Sequence, residues 1–263
     1  MGYRIFLAGA SGVIGKRLVP LLRDAGHYVT GTTRSAAKVE WLRALGADPV
    51  IVDVFDSADL SRVVASSRPD FVIHQLTDLP QNMDPSRMRE AIVRNARIRD
   101  EGTRNLAQAA AAAGARRLIA QSIAWAYAPG PEPHFESDPL DVEAQGDRRI
   151  TVRGVIALED STLNSPPLEG VVLRYGQLYG PGTHSDRPSN FAPIHVDAAA
   201  YGALVAIDRA KPGVFNIAQP NPHVATDKAR SEMGWNADFR LPAKGCLHPR
   251  ANVTENRGAA GTS

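Results

Sequence analysis

Apolar and polar positions along the chain fall into two alternating kinds of block. Short apolar runs at Arg4–Ala8, Tyr28–Thr33, Pro49–Val54, Asp70–His74, Arg117–Ser122, Gly170–Arg174 and Val214–Ile217 read as buried strands. Between them lie stretches with helical spacing. They run over Lys16–Gly26, Lys38–Leu45, Asp59–Ser66, Pro85–Ala113, Thr151–Leu163, Ile194–Arg209 and Thr226–Met233, several stopped by Gly. Strands that are apolar throughout and separated by helices predict a parallel sheet covered on both faces. The pattern loosens from Ala128 to Arg149, a Pro-, Asp- and Glu-rich segment that reads as a loop over a site. The predicted fold is α/β: a Rossmann-type doubly wound parallel sheet with a reduced C-terminal substrate lobe. The sheet domain takes residues 1–181 and 194–218, the lobe 182–193 and 219–245, and residues 246–263 form a polar, small-residue tail expected to be disordered.

The first strand-to-helix junction carries the chemistry. Gly9-Ala-Ser-Gly-Val-Ile-Gly15 stands between a buried strand and an amphipathic helix. Glycines there let the backbone turn tightly and approach a pyrophosphate, whose charge the helix N-terminus stabilises. The expected phosphate contacts are Gly9, Ser11, Gly12, Val13, Ile14 and Gly15. The simpler alternative is a tight turn with no ligand.

Charge at the end of the second strand speaks to the choice of dinucleotide. NAD sites place an acid there for the ribose hydroxyls, whereas NADP sites need a cation for the 2′-phosphate. The strand ends Thr33-Arg34-Ser35 with no acid, so NADP is expected, with NAD as the alternative. Arg34 can hold a phosphate bidentately, and Thr33 and Ser35 can donate further hydrogen bonds. The competing reading of Arg34 is a solvated loop arginine.

Composition narrows the classes further. Hydrophobic residues make up 43% of the 263, enough for a sizeable core, and a net charge of +2 gives no field that favours nucleic acid or an anionic membrane. A single cysteine, Cys246, leaves no disulfide framework or thiolate metal cluster. No apolar run reaches membrane-span length, and the first residues read as a strand rather than a signal peptide, so a cytoplasmic protein is expected. Gly-Lys-Ser/Thr phosphate loops, His-Glu-x-x-His zinc motifs and Gly-x-Ser-x-Gly elbows do not occur.

The motifs, taken together and in order, resemble the extended short-chain dehydrogenase/reductase superfamily, in its epimerase/dehydratase branch. The glycine motif, Gly102-Thr-Arg-Asn-Leu106, Leu173-Arg-Tyr-Gly-Gln-Leu-Tyr-Gly-Pro-Gly182, His195-Val-Asp-Ala-Ala199 and Lys228–Trp235 carry the likeness, which extends to about Trp235. The resemblance implies an NAD(P) cofactor contacted by Asp53 and Val54 at the adenine, by Gln75, Leu76 and Thr77 after strand four, by Ser122, and by Tyr175 and Gly176 after strand six. The competing reading of Asp53 is a helix cap, and His74 reads as structural. Relatives dimerise through their fourth and fifth helices, so the arginines at 87, 89, 94, 97 and 99 face either solvent or a second subunit.

The likeness fails at the catalytic residues. The family's Tyr-x-x-x-Lys pair, in which a lysine tunes a phenol to pass a proton beside the nicotinamide, falls on Thr151 and Val155. The catalytic Ser or Thr position falls on Ile123, one residue after Ser122. The usual Asn three residues before the Gly-Thr pair is Arg99. Tyr127 is the substitute acid, unless it packs under the Pro-rich loop; Ser122 bonds substrate or ribose, unless it satisfies backbone. Trp125 forms either a substrate wall or core, and His134, Asp138 and His184 read as exposed loop residues. Three readings stay open: other proton donors, a reaction that needs less acid help, or NADP(H) binding without turnover by a regulator. The expected activity is an NADP(H)-dependent oxidoreductase of atypical mechanism. Its substrate would be small, partly apolar and carbonyl-like, since only Gly182–Pro193 separates the strand-six turn from His195. An epimerase- or dehydratase-like enzyme is the remaining alternative.

Overall fold

A computed structural model describes residues 2–80 and 83–242. Seven parallel strands form one sheet: β1 (Arg4–Ala8), β2 (Tyr28–Thr33), β3 (Asp48–Ile51), β4 (Phe71–His74), β5 (Arg117–Ile123), β6 (Glu169–Tyr175) and β9 (Gly213–Ile217). Their order is β3-β2-β1-β4-β5-β6-β9. The chain therefore winds outward from β1 in one direction and, after the crossover to β4, in the other. The reversal between β1 and β4 opens a crevice at the strand C-termini, where ligands bind on such sheets.

Each face is covered as the apolar runs require. On one side α1 (Gly15–Asp24) and α7 (Val196–Val205) bury Leu18, Leu22, Ala199 and Ala203 against Ile5, Ile73, Leu173 and Phe215. On the other, α3 (Ser57–Ser67) and α5 (Thr103–Ala112) bury Leu60, Val64, Leu106 and Ala110 against Phe6, Val72 and Leu118. The remaining helices are α2 (Val39–Ala44), α4 (Pro85–Arg97), α6 (Gly146–Leu163) and α8 (Asp227–Met233). A small parallel pair, β7 (Gln177–Tyr179) and β8 (Pro193–His195), flanks the 180–192 loop. α8 and Trp235 join the core of the sheet domain: Ala229 and Met233 are buried there, and the Trp235 indole N–H donates to the Ala198 carbonyl at 2.9 Å.

Several expected boundaries move, each for a local reason. The run at 49–54 ends as a strand at Ile51, because the Asp53 carboxylate accepts from the Phe55 N–H at 3.0 Å and turns the chain. Asp56 then caps α3 through the Asp59 N–H at 3.0 Å. The 85–113 helix is interrupted by a π-turn at Ile98–Gly102 between α4 and α5. α6 starts at Gly146 rather than Thr151, which shortens the loop before it. The segment expected as helix from Ile194 begins instead with β8, whose His195 Nδ1 accepts from the Asp197 N–H at 3.2 Å and starts α7. The expected tail, Cys246 and the end of the lobe beyond residue 242 lie outside the described residues.

α4 and α6 meet at a glycine. A Cβ on Gly154 would stand 2.9 Å from the Ala96 Cα and 3.2 Å from its Cβ, so the two helices pack closer than any side chain allows. Gly154→Val should therefore force them apart and cost about 1–3 kcal/mol, the usual scale of overpacking. Urea unfolding at neutral pH measures the loss, and an unchanged midpoint would refute this account of the contact.

Candidate active site

The glycine turn is built to bring backbone close to a ligand. Gly9 has φ +89°, and a Cβ there would stand 2.6 Å from the Gln75 carbonyl oxygen; one on Gly15 would stand 2.3 Å from the Gly9 oxygen. The Gly9 N–H donates to Thr32 Oγ1 at 3.1 Å and the Gly12 N–H to the Gly9 carbonyl at 3.0 Å, so the loop folds onto itself. Ile14 is buried beneath it, while Ser11, Gly12 and Val13 reach the surface. No side chain caps α1 and no acid stands in its first turn, which leaves its N-terminal dipole available to an anion. These features fit a dinucleotide diphosphate.

Two cations stand at the same helix start. The Lys16 ammonium lies against Gly182, where a Cβ would come within 2.0 Å of it. Arg17 donates to the Pro181 carbonyl at 3.4 Å and pairs with Asp197 at 3.5 Å. The 180–182 turn is thereby tied to the glycine loop. Burial and the neighbouring Arg17 lower the Lys16 pKa. Sequence reasoning passed over Lys16, although it directly follows the motif's last glycine.

Arg34, at the end of β2, projects into the crevice with 56% of its side chain exposed. Its guanidinium lies 3.5 Å from Asp78 Oδ2, and Arg94 of α4 reaches the same oxygen at 3.2 Å. Asn95 fixes Asp78 from behind: its Oδ1 accepts from the Asp78 N–H and its Nδ2 donates to the Asp78 carbonyl, both at 3.0 Å. Arg94 also pairs with Glu90 at 3.3 Å, so two guanidinium groups and two carboxylates meet beside Thr33 and Ser35, with Arg34 the more exposed of the two cations. The sequence alone showed only Arg34, because Asp78 and Arg94 arrive from other elements. Asp53 is exposed just past β3, and Val54 is buried with its carbonyl accepting from Asn105 at 3.0 Å.

The segment leaving β4 is organised by His74. Its Nδ1 accepts from the Leu76 N–H at 3.1 Å, so Nε2 carries the proton and donates to Thr103 Oγ1 at 3.0 Å. Burial, with the nearby Arg99 charge, lowers its pKa to about 4. Gln75 is buried with neither end of its amide hydrogen-bonded, Leu76 is partly buried and Thr77 is exposed.

Beyond β5 and β6 lies a buried polar network. The Ser122 hydroxyl donates to Glu159 Oε1 at 2.7 Å, and Arg174 clamps the same carboxylate through Nε at 2.9 Å and Nη2 at 2.7 Å. The Arg174 guanidinium covers the Tyr127 ring at 4.8 Å, and the Tyr127 hydroxyl donates to Asn216 Oδ1 at 2.7 Å. Tyr127 stacks on His134 and is 5% exposed, and burial pushes its phenol pKa up. Its proton is thus engaged inside the fold under the 128–145 loop. The Tyr175 ring is buried in the core with its hydroxyl donating to the Ala199 carbonyl at 3.1 Å, and Gly176 packs against the Ala192 carbonyl.

At the positions where relatives carry their catalytic Ser and Lys, the structure brings hydrocarbon together. Ile123 and Val155 form a cluster with Ala126, Ala144 and Val152, bordered by Trp125, Leu140 and Ile156. Thr151 is partly buried one turn before Val155 on α6. His134, expected to be exposed, is instead buried: its ring stacks on Tyr127 and its Nδ1 pairs with Asp138 at 3.2 Å. Among the described residues no three His, Cys, Asp or Glu side chains are grouped to hold a metal, and no helix is long and apolar enough to cross a membrane.

Comparison with known proteins agrees with this geometry. Residues 5–213 match the family described as "NAD dependent epimerase/dehydratase family". A 3-diazoavenalumate denitrifying reductase from Streptomyces sp is 40% identical over 98% of this chain and 92% of its own length. A dTDP-4-dehydrorhamnose reductase from Streptomyces griseus is 29% identical over 68% of this chain and 51% of its own. The UDP-glucose 4-epimerase of Bifidobacterium longum, solved with NAD+ and UDP, superposes with a TM-score of 0.69 at 18% identity, covering 90% of this chain and 94% of that one. The superposition shows a shared fold.

The buried neutral His74 makes stability depend on pH. Its folded pKa of about 4 lies below the unfolded value of ~6.5, so its contribution is fully present above pH ~6.5 and is lost as pH falls toward 4. Across that window the wild type should lose on the order of 3 kcal/mol more than His74→Asn, which keeps an acceptor for the Leu76 N–H. Urea unfolding of both proteins at several pH values measures the difference, and parallel curves would refute the assignment.

Proposed function

The chain belongs to the NAD-dependent epimerase/dehydratase family, and from that premise we propose that it is an NADPH-dependent reductase that removes the diazo group of a small aromatic compound. The observation that carries this reading is the apolar corner at Ile123 and Val155. Epimerisation and carbonyl reduction both create an alkoxide or remove a hydroxyl proton and gain from a tuned acid. This site sets Thr151 where relatives have a phenol, and an aliphatic hydroxyl is a poor general acid at neutral pH. A diazonium carbon has no such need. In the net reaction Ar–N2+ accepts a hydride, the C–N bond breaks, and Ar–H and N2 are released while the dinucleotide is oxidised; no proton is consumed. The relative's name describes that kind of transformation for its own substrate, and the likeness spans nearly both chains.

The bound dinucleotide would supply the hydride. The chain's own residues hold and shield. Gly9, Gly12 and the uncapped start of α1 cradle the diphosphate, with Lys16 beside it. Arg34 and Arg94 offer the 2′-phosphate two guanidinium groups in exchange for Asp78, with Thr33 and Ser35 as donors. Val54 and Asp53 flank the adenine, and Leu76 and Thr77 border the cofactor along the β4 exit. Ile123, Val155 and Trp125 form a dry wall that keeps water from a reactive diazo group. Ser122 and Tyr127 act through packing, since both hydroxyls are engaged in the network around Glu159 and Arg174. A homodimer through α4 and α6 remains part of the reading; Val93 of α4 is exposed on that face.

Cofactor choice is tested on Arg34. Arg34→Glu should raise the NADPH dissociation constant by the equivalent of about 1.5–3 kcal/mol, the scale of a lost charged hydrogen bond, and leave NADH nearly unchanged. Titration calorimetry reads both; equal affinity of the wild type for the two dinucleotides would defeat the NADP assignment.

Chemistry is tested with a hydroxyaryl diazo acid and NADPH deuterated at nicotinamide C4. Deuterium should appear on the ring carbon that bore nitrogen, with one N2 released per NADPH oxidised. Thr151→Ala and Tyr127→Phe should each keep kcat within about threefold of wild type, because neither supplies a proton. Turnover of aldehydes or ketones but not of the diazo acid, or a collapse of kcat in Thr151→Ala, would overturn the reading.

A further inference from the structure

Six arginines stand along the long helix and its π-turn; among the described residues Arg87 is exposed to solvent and four others are paired with carboxylates. Arg89 pairs with Asp147, Arg94 with Asp78, Arg97 with Glu101, and Arg104 with Asp100. Arg99 differs. It is partly buried within the π-turn, and among the described residues no carboxylate or carbonyl accepts from it. Burial pulls its guanidinium down to about 10, so it stays charged at neutral pH.

Its position follows from its neighbours. Asn95, Arg99 and Thr103 are spaced four apart and share one stripe of the helix. Asn95 bonds Asp78, and Thr103 bonds His74. Both ends of the stripe therefore meet the segment that leaves β4, and Arg99, midway between them, is near enough to His74 for its charge to act on the imidazole. That segment borders the glycine turn, since Gly9 packs on the Gln75 carbonyl. The same helix packs on α6 where Gly154 meets Ala96, one residue from Val155 and three before Arg99. The π-turn supplies the extra residue that widens the helix here, a feature frequent at functional sites. A partly buried cation that pairs with no carboxylate among the described residues is suited to taking an anion from outside the chain, and perturbed charges cluster at functional sites.

We infer that Arg99 is an anion-binding residue of the crevice, taking a carboxylate or phosphate oxygen of a ligand that lies over residues 75–77 and providing from the long helix the positive charge that Val155 cannot provide from α6. The inference rests on the proposed dinucleotide-dependent reading of the crevice. The oxygen comes either from the substrate's carboxylate or from the cofactor's diphosphate, and binding separates the two.

The experiment compares wild type with Arg99→Met and Arg99→Lys. Calorimetry measures NADPH binding to the free protein and cinnamate, a simple aryl carboxylate, binding to the NADP+ complex. Thermal unfolding is followed without ligand. Arg99→Met should lose tenfold or more in affinity for one probe, Arg99→Lys should recover part of it, and the ligand-free melting temperature of Arg99→Met should hold or rise. Loss on cinnamate alone assigns the substrate carboxylate; loss on NADPH assigns the diphosphate. Wild-type affinity for both probes in Arg99→Met, or a lowered melting temperature with both affinities kept, overturns the inference and leaves the dinucleotide reading standing. A wild type that binds cinnamate but no dinucleotide overturns that reading instead, with the Arg99→Met effect on cinnamate still deciding the role of Arg99. Binding of neither probe by the wild type overturns both.

Discussion

The buried pair between Glu159 and Arg174 ties α6 to the β5–β6 half of the sheet. Both groups are almost wholly removed from water, at 8% and 5% side-chain exposure. Taking two charges out of water is expensive, and the geometry offsets that cost with a two-point clamp from Arg174, a third bond from Ser122, and the Tyr127 ring over the guanidinium. Arg174 also reaches the Glu136 carbonyl at 3.3 Å, and Glu136 in turn accepts from the Asn216 N–H at 2.8 Å. One ion pair thereby joins α6, β5, β6, β9 and the 128–145 loop. Breaking such a pair from one side typically costs about 3–5 kcal/mol, because the partner charge is stranded.

That network explains what became of the residues that looked able to act as acids. Ser122 and Tyr127 sit close to the right place in the chain, but their hydroxyls serve the scaffold. The corner next to them is filled by Ile123 and Val155, buried together with Ala126, Ala144 and Val152. The cations of the crevice come from other elements: Lys16 at the glycine turn, Arg34 and Arg94 around Asp78, and Arg99 between Asn95 and Thr103. In the reading proposed above, the charges that hold ligands lie apart from the hydrocarbon wall, and an electrophile that accepts hydride without a proton suits that division.

The architecture was legible in the sequence because its signals are local. Apolar runs of strand length, helical spacing and glycine stops each act over a few residues, and the glycine motif announces the turn that α1 needs. Boundaries slipped where a single side chain decided them: the Asp53 turn that ends β3, the π-turn after Arg97, and the His195 cap that divides β8 from α7. Arg34 could be read from its place at a strand end. Asp78, Arg94 and Asn95 could not, since their meeting depends on how the helix after β4 lies across the crevice.

By itself the sequence determined the α/β order, the dinucleotide-binding turn and the loss of the Tyr-x-x-x-Lys pair, because these are matters of residue identity and short-range spacing. Only the tertiary structure decided that Tyr127 spends its proton on Asn216, that Ser122 serves Glu159, and that Arg99, among the described residues, pairs with no carboxylate while Arg94, Arg97 and Arg104 do. Whether a polar group is spent or available depends on what the fold brings within about 3 Å of it, the range of a hydrogen bond. The partners here lie between 15 and 89 positions away in the chain, a separation that no local pattern encodes.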